Sequence, residues 1–374
     1  MPELVLKNIR KTYPGGKVAV SGLDLTVRDG EFLVLAGPEN CGKTTLLRMI
    51  AGLEDISEGE MILDGKSVGD VSVKNRDFAM LFQNQTIYSH LSVYDNIAYG
   101  LQIRKVPKEI IDPKVKRAAE IFGLTDLLAR KPKLLSSIQR QRVALCRMIV
   151  REPKMILLDE PLSGLDEKLR AQMKSELIQL HARFATTVIY AAQDPAEALM
   201  MGARIAVLKD GGLQQVDTPQ TLYDSPANTF VADYIGRPSI NFFKNAALVS
   251  EGKKTYAKCA EGMQIAIDSK LVKQIKNITE YLGALKPVTV GVRPEDVELS
   301  LAADQGNGFT ATVTASESYG GKVIVTCASA GGEIKAFAAS ALQTGGEVNA
   351  VCSPEHVYLF DGETGETLFR IGEN

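Results

Sequence analysis

The sequence predicts an α/β domain followed by an all-β module. Three observations carry that expectation. Up to about residue 235, short apolar runs alternate with segments of helical spacing, the pattern of a parallel sheet with covering helices. Beyond Gly236-Arg237-Pro238 the alternation stops, and short strands are broken by turns at Gly252, Gly320-Gly321, Gly331-Gly332, Gly345-Gly346 and Gly362, as in a small barrel or sandwich. A chain of 374 residues also exceeds what one ordinary core fills. The expected domains are 1–235 and 236–374.

In chain order, residues 3–9 and 23–27 alternate apolar and polar side chains as antiparallel strands do. Between them, Lys11-Thr12-Tyr13-Pro14-Gly15-Gly16 is a turn with one aromatic ring. Tyr13 offers a face on which a base can stack; the competing reading is a half-buried packing residue. Phe32-Leu33-Val34-Leu35-Ala36 reads as a buried strand. It leads into Gly37-Pro38-Glu39-Asn40-Cys41-Gly42-Lys43-Thr44, which spells G-x-x-x-x-G-K-[ST], with Thr45 behind it. Residues 45–51 then have helical spacing and stop at Gly52, a C-terminal cap. Strand, glycine loop and helix are the setting in which backbone N–H groups and a helix N-terminus face phosphates. Lys43 is expected to reach the β/γ-phosphates, and Thr44 to ligate Mg²⁺. A plain glycine turn is the alternative, and the strand–loop–helix context disfavours it. Cys41 reads as a small loop residue before it reads as a reactive thiol.

Residues 61–64 and 78–82 are further expected strands, the second running into Phe82-Gln83-Asn84-Gln85. Residues 107–130 turn helical and charged, with Pro107 and Pro113 as punctuation. Met155-Ile156-Leu157-Leu158-Asp159-Glu160 is a buried strand that delivers two acids to its C-terminal edge, where open α/β sheets bind ligands. Asp159 is expected in the Mg²⁺ shell, and Glu160 beside the attacking water. A helix over 167–183, a strand over 187–190, a helix over 195–202 and a hairpin around Asp210-Gly211-Gly212 complete the series.

A net charge of −2 gives no nucleic-acid footprint. No apolar run approaches the length of a membrane span, and Met1-Pro2-Glu3-Leu4 lacks the regions of a signal peptide. Five scattered cysteines without a CxxC pair read as reduced thiols of a cytosolic protein.

These motifs resemble the ATP-binding cassette family, and more narrowly the ATPase subunits of maltose-type sugar importers. The resemblance covers nearly the whole chain. It implies a P-loop cassette domain with an antiparallel β subdomain and a helical subdomain, followed by an oligomer-binding-fold regulatory domain. Tyr13 falls at the family's adenine-stacking position. Gln83 matches the glutamine that touches Mg²⁺ and couples to membrane subunits. Leu135-Ser136-Ser137-Ile138-Gln139 stands at the signature helix, Asp159-Glu160 at the second nucleotide motif, and Ser163-Gly164-Leu165-Asp166 at the loop that crosses the dimer. Arg237-Pro238-Ser239-Ile240-Asn241-Phe242, Gly291-Val292-Arg293-Pro294-Glu295-Asp296 and His356-Val357-Tyr358-Leu359-Phe360-Asp361 resemble the regulatory domain. The implied ligands are ATP and Mg²⁺. The implied partners are a second cassette (identical or different), two transmembrane permease subunits and, indirectly, an extracytoplasmic solute-binding protein. The implied location is the cytoplasmic face of the membrane.

Three departures cluster where two cassettes would sandwich ATP. The signature normally reads Leu-Ser-Gly-Gly-Gln; here Ser137 and a β-branched Ile138 replace the glycines, adding bulk and removing conformational freedom. The switch histidine after the strand ending at Tyr190 is replaced by Gln193, which cannot carry a positive charge. In the phosphate loop, Glu39-Asn40 replaces Ser-Gly. Asn40 tolerates positive φ and is expected to keep the turn, whereas Glu39 is unfavourable near phosphates unless it points to solvent. Unselected drift, alteration in the laboratory and a functional role each explain such clustering. The expected activity is that of an importer ATPase with reduced hydrolysis. The alternatives are a regulatory cassette that binds ATP without turnover, an importer ATPase for polyamine, sulfate or iron, and a soluble cassette ATPase of DNA repair or translation.

Overall fold

The computed structural model describes residues 3–83, 87–259, 263–275, 277–283, 285–300 and 308–369. The chain divides into two compact units, residues 1–219 and 220–374.

The first unit begins with β1 (Leu4–Thr12) and β2 (Val18–Val27), an antiparallel pair. Then come β3 (Phe32–Ala36), α1 (Lys43–Ala51), β4 (Glu58–Leu63), β5 (Lys66–Ser67), the one-turn α2 (Val73–Arg76) and β6 (Phe78–Leu81). Three helices form the next block: α3 (Val93–Ile103), α4 (Lys108–Ile121) and α5 (Ser137–Ile149). β7 (Met155–Asp159), α6 (Glu167–Phe184), β8 (Thr187–Ala192) and α7 (Pro195–Met201) follow. The hairpin of β9 (Arg204–Lys209) and β10 (Gly212–Asp217) comes last.

Two sheets result. One is antiparallel, in the order β2-β1-β4-β5. The other runs β10-β9-β3-β8-β7-β6 and is parallel except at the β9–β10 edge. β3, β7 and β8 are buried at every position, which is why their sequences are continuous apolar runs and not alternations. α1 packs between the two sheets in one core with Leu46, Leu47 and Ile50 fully buried. Its C-terminus is fixed twice. Gly52 takes φ +79 as the cap, and the buried Arg76 donates to the carbonyls of Met49 and Ile50, each at 2.7 Å. Pro113 does not end a helix: α4 runs through it, because Ile111, Val115, Ala118 and Ala119 form one buried face across the proline. Pro107 does punctuate, at the N-cap.

The second unit starts at residue 220, earlier than the expected 236. Its first elements are helices, α8 (Pro219–Asp224) and α9 (Thr229–Ile235). The reason is Arg293, 1% exposed, whose guanidinium donates to Ala232 O at 2.8 Å and Tyr223 O at 2.9 Å and lies over the Tyr223 ring. Ala232 also packs with Ile240, Tyr358 and Phe360. Alternation in sequence cannot reveal that these helices pack with the strands that follow them. Among the described residues, ten strands then form two five-stranded sheets that share a large apolar core. The observed β architecture agrees with the all-β module expected from its glycine-punctuated sequence.

Candidate functional site

The C-terminal edge of the parallel sheet brings four stretches together: the loop after β3, the residues after β6, the acidic pair ending β7 and the residues after β8. β3, β7 and β8 are parallel neighbours, so their ends arrive on one side.

Two glycines shape the loop. A Cβ on Gly37 would lie 2.4 Å from Leu208 O and 2.5 Å from the Cys41 sulfur. Gly42 has φ +106, and its Cβ would lie 2.5 Å from Ala19 O. Neither position accepts another side chain without moving the backbone. Asn40 keeps the turn as expected, at φ +61. Cys41 is 2% exposed within the α1 core; burial pushes its thiol above the ordinary range, against the pull of nearby Lys43. That is the environment of an inert thiol, so the small-residue reading holds.

Lys43 is 4% exposed, and its ammonium is the cationic centre of the site. It donates to Gly37 O at 2.8 Å and Pro38 O at 2.9 Å, and lies 3.7 Å from a Glu160 carboxylate oxygen. The Thr44 hydroxyl donates to Asp159 Oδ1 at 2.9 Å. Thr45, half-buried, follows it in α1. Gln83 Nε2 donates to Glu160 Oε2 at 3.3 Å. Asn84 and Gln85, next to Gln83 in sequence, lie outside the described residues. Burial raises the pKa of both acids. Asp159 is held back by the Thr44 hydrogen bond and by Arg48 and Lys43. Glu160 is held back by Lys43 but pushed further by Asp159 and Glu39. Glu160 takes φ +46, with its N–H on Ala191 O at 3.2 Å and its carbonyl accepting the Ser163 hydroxyl at 2.8 Å.

Lys43, Thr44, Gln83, Asp159 and Glu160 are therefore one connected constellation. The donor set suits Mg²⁺ beside a phosphate chain, because a hydroxyl and one carboxylate leave the remaining positions to phosphate oxygens and water. Tyr13 sits in the β1–β2 turn, half-buried, with the Lys11 ammonium 5.2 Å from its ring centroid.

Two of the three departures meet each other. Gln193 follows β8 directly, and its Nε2 donates to Glu39 Oε1 at 2.9 Å; both side chains are exposed. Glu39 thus faces solvent, and it is also held.

Leu135 to Gln139 form the start of α5. Leu135 is buried, and Ser136 is the N-cap in a capping box: its hydroxyl accepts from the Gln139 N–H, and its own N–H donates to Gln139 Oε1 at 2.9 Å. Ser137 and Ile138 occupy the first helical turn, and neither has positive φ. The expected loss of glycine's conformational freedom therefore has no consequence here. What remains is bulk, from an exposed Ser137 and a half-buried Ile138 at the helix N-terminus.

One residue outside the expected set matters to this geometry. Gln141 is 7% exposed and donates to Pro161 O at 2.8 Å, tying α5 to the residue after Glu160. Its signal in sequence is a glutamine on the buried stripe of an amphipathic helix, in line with Leu145 and Met148 and inside the run Gln139-Arg140-Gln141-Arg142-Val143-Ala144-Leu145 that resembles the family's signature helix. A groove of about 580 Å³ lies beside β6 and α3, lined among others by Phe78, Leu81, Tyr88, Tyr99, Ile103 and Arg147. Ile103 at its edge is 65% exposed.

The profile of the ABC transporter family matches residues 20–163, and that of the TOBE domain residues 290–360. The oligosaccharides import ATP-binding protein MsmX of Bacillus subtilis is 42% identical over 369 residues, 97% of this chain and 99% of that protein. The osmoprotective compounds uptake ATP-binding protein GgtA of Synechocystis is 48% identical over 280 residues, 75% of this chain and 74% of that protein. Among solved structures, the dimeric ATP-binding cassette MJ0796, in a post-hydrolysis state bound to ADP and Pi, is 28% identical. It aligns with TM-score 0.51 over 57% of this chain and 98% of its own.

Proposed function

Because the chain belongs to the ABC transporter family, as the ATP-hydrolysing subunit of an importer, we propose that it drives carbohydrate uptake from the cytoplasmic face of the membrane. The observation that carries its chemistry is the single constellation of Lys43, Thr44–Asp159 and Gln83–Glu160. Thr44 and Asp159 would hold Mg²⁺, which would supply neutralisation of the phosphate charge. The Lys43 ammonium turns from loop carbonyls to β/γ-phosphate oxygens. Glu160 orients the attacking water and accepts its proton; burial makes its carboxylate a stronger base, and Gln83 fixes one of its oxygens. Catalysis on this plan is positioning and charge stabilisation.

The carbohydrate assignment is supported by the likeness to MsmX along almost the full length of both chains. The likeness to GgtA favours a second reading, an osmoprotective compound as solute. The groove beside β6 suits a membrane subunit, because a partner pressing on β6 acts on the strand that carries Gln83 to Glu160. Hydrolysis is slowed by Ser137 and Ile138, whose bulk keeps the amides at the α5 N-terminus away from a γ-phosphate held by a second cassette. Loss of one such donor set costs about 10²–10³ in rate.

The test is reconstitution in proteoliposomes with the cognate membrane subunits and binding protein, following ATP-dependent uptake of a labelled oligosaccharide. Uptake that Lys43→Ala abolishes supports the carbohydrate reading; uptake of an osmoprotectant instead overturns it. In the same system, Ser137→Gly, Ile138→Gly and Gln193→His together should raise turnover at least tenfold, about 1.4 kcal/mol of barrier. Pairing with an intact cassette should also raise it, because each composite site then carries only part of the damage. A full rate in the unaltered homodimer refutes the slowed-hydrolysis reading.

A further inference from the structure

Glu39 is the one acid inside the phosphate loop, and the loop fixes where it stands. Pro38 precedes it, with its carbonyl bound to Lys43, and Asn40 follows it at φ +61. Gln193, 154 residues away in sequence, stands on a firm base. It lies between the buried end of β8 and Asp194, whose side chain caps α7 by accepting from the Ala196 N–H at 3.0 Å. A side-chain amide on a fixed platform therefore grips a carboxylate on a fixed loop.

We propose that Gln193 is a positioning residue for Glu39, holding its carboxylate aside from the path of the terminal phosphate. On this view the two residues form one unit, and Gln193 acts on nucleotide only through Glu39. A glutamine amide is neutral and cannot counter phosphate charge as an imidazolium can, but it can donate to a carboxylate. The inference rests on the reading that this loop binds ATP. It predicts electrostatic consequences that a packing role would not produce. Released from Gln193, the Glu39 carboxylate opposes the γ-phosphate more than the shorter ADP, and salt screens the opposition because both side chains are exposed.

The experiment measures Mg·ATP and Mg·ADP affinity of the full-length chain by calorimetry at low and high salt. The variants are Gln193→Ala, Glu39→Gln and the double variant. Gln193→Ala should weaken ATP binding about three- to tenfold and ADP binding less, with the loss shrinking at high salt. Glu39→Gln should bind ATP at least as tightly as the unaltered chain, and adding Gln193→Ala to it should change nothing. An equal loss from Gln193→Ala with either Glu or Gln at position 39 overturns the proposal, since Gln193 then acts on the nucleotide directly. No effect of Gln193→Ala beside Glu39 also overturns it. Failure of every form to bind ATP overturns the nucleotide reading and the proposal with it, an outcome distinct from binding without cross-dependence.

Discussion

Gln141→Leu isolates the support of Glu160, the carboxylate proposed as catalytic, from the binding of nucleotide. The substitution keeps volume and helix propensity but removes the amide that donates to Pro161 O at 2.8 Å in the buried space between α5 and the residue after β7. Loss of one buried hydrogen bond costs about 0.5–1.5 kcal/mol. For a unit of this size that lowers Tm by roughly 1–6 °C. The kinetic effect should be larger than the thermal one. Glu160 adjoins Pro161 and holds a left-handed backbone conformation at φ +46, so slack at Pro161 passes directly to the carboxylate. A misplacement near 1 Å can cost about a hundredfold in rate; we expect kcat to fall about ten- to a hundredfold. ATP affinity should stay within about twofold, because Lys43, Thr44 and Asp159 sit on α1 and β7, whereas Gln141 sits on α5 and binds Pro161. Calorimetric ATP titration, thermal melting and steady-state turnover of one preparation read all three. A lowered Tm with unchanged kcat refutes the reasoning, and so does a loss of affinity equal to the loss of rate.

Three further outcomes follow from the same geometry. Lys43→Ala removes the buried ammonium and should weaken Mg·ATP binding about 10- to 150-fold, the equivalent of about 1.5–3 kcal/mol for a charge-assisted contact, measured by calorimetry. Glu160→Gln should keep ATP binding and abolish turnover. Its stability effect has a defined sign: burial raises the Glu160 carboxyl, so ionising it costs the fold stability as pH rises above the ordinary glutamate range. The variant should therefore melt higher than the unaltered chain at pH 8, with the difference vanishing at pH 4. A fragment of residues 220–374 should melt cooperatively and roughly 10 °C above one of residues 236–374. The shorter fragment loses the buried Val231, Ala232 and Ile235 face and both helical carbonyls that Arg293 binds; equal melting of the two would place the boundary at 236 after all.

What the sequence made legible was whatever is written locally. Gly37 to Thr44 announce a loop because spacing alone states their geometry, and the continuous apolar run before Asp159 announces a strand buried on both faces. Asn40 could be placed at positive φ from its side-chain chemistry. Long-range pairing was not legible. Nothing local to Arg76 shows that it closes the C-terminus of α1, and nothing near Gly236 shows that α8 and α9 pack with Arg293. Pro113 misleads for a related reason, since the buried face of α4 outweighs one missing donor.

The three departures looked equivalent in sequence, and the structure separates them. At Ser137 and Ile138 the backbone is ordinary helix with an intact capping box, so the change is steric and confined to what approaches the α5 N-terminus. Its effect requires a second cassette; it should be weak on nucleotide binding by a single chain and strong on turnover in a dimer. Glu39 and Gln193 lie within one chain and hold each other, so their effect should appear in binding even without a dimer. Separate measurement of affinity and turnover therefore assigns each departure to its own step. It also bears on drift as an explanation. Independent decay would leave the Glu39 carboxylate unheld, whereas here Gln193 hydrogen-bonds it.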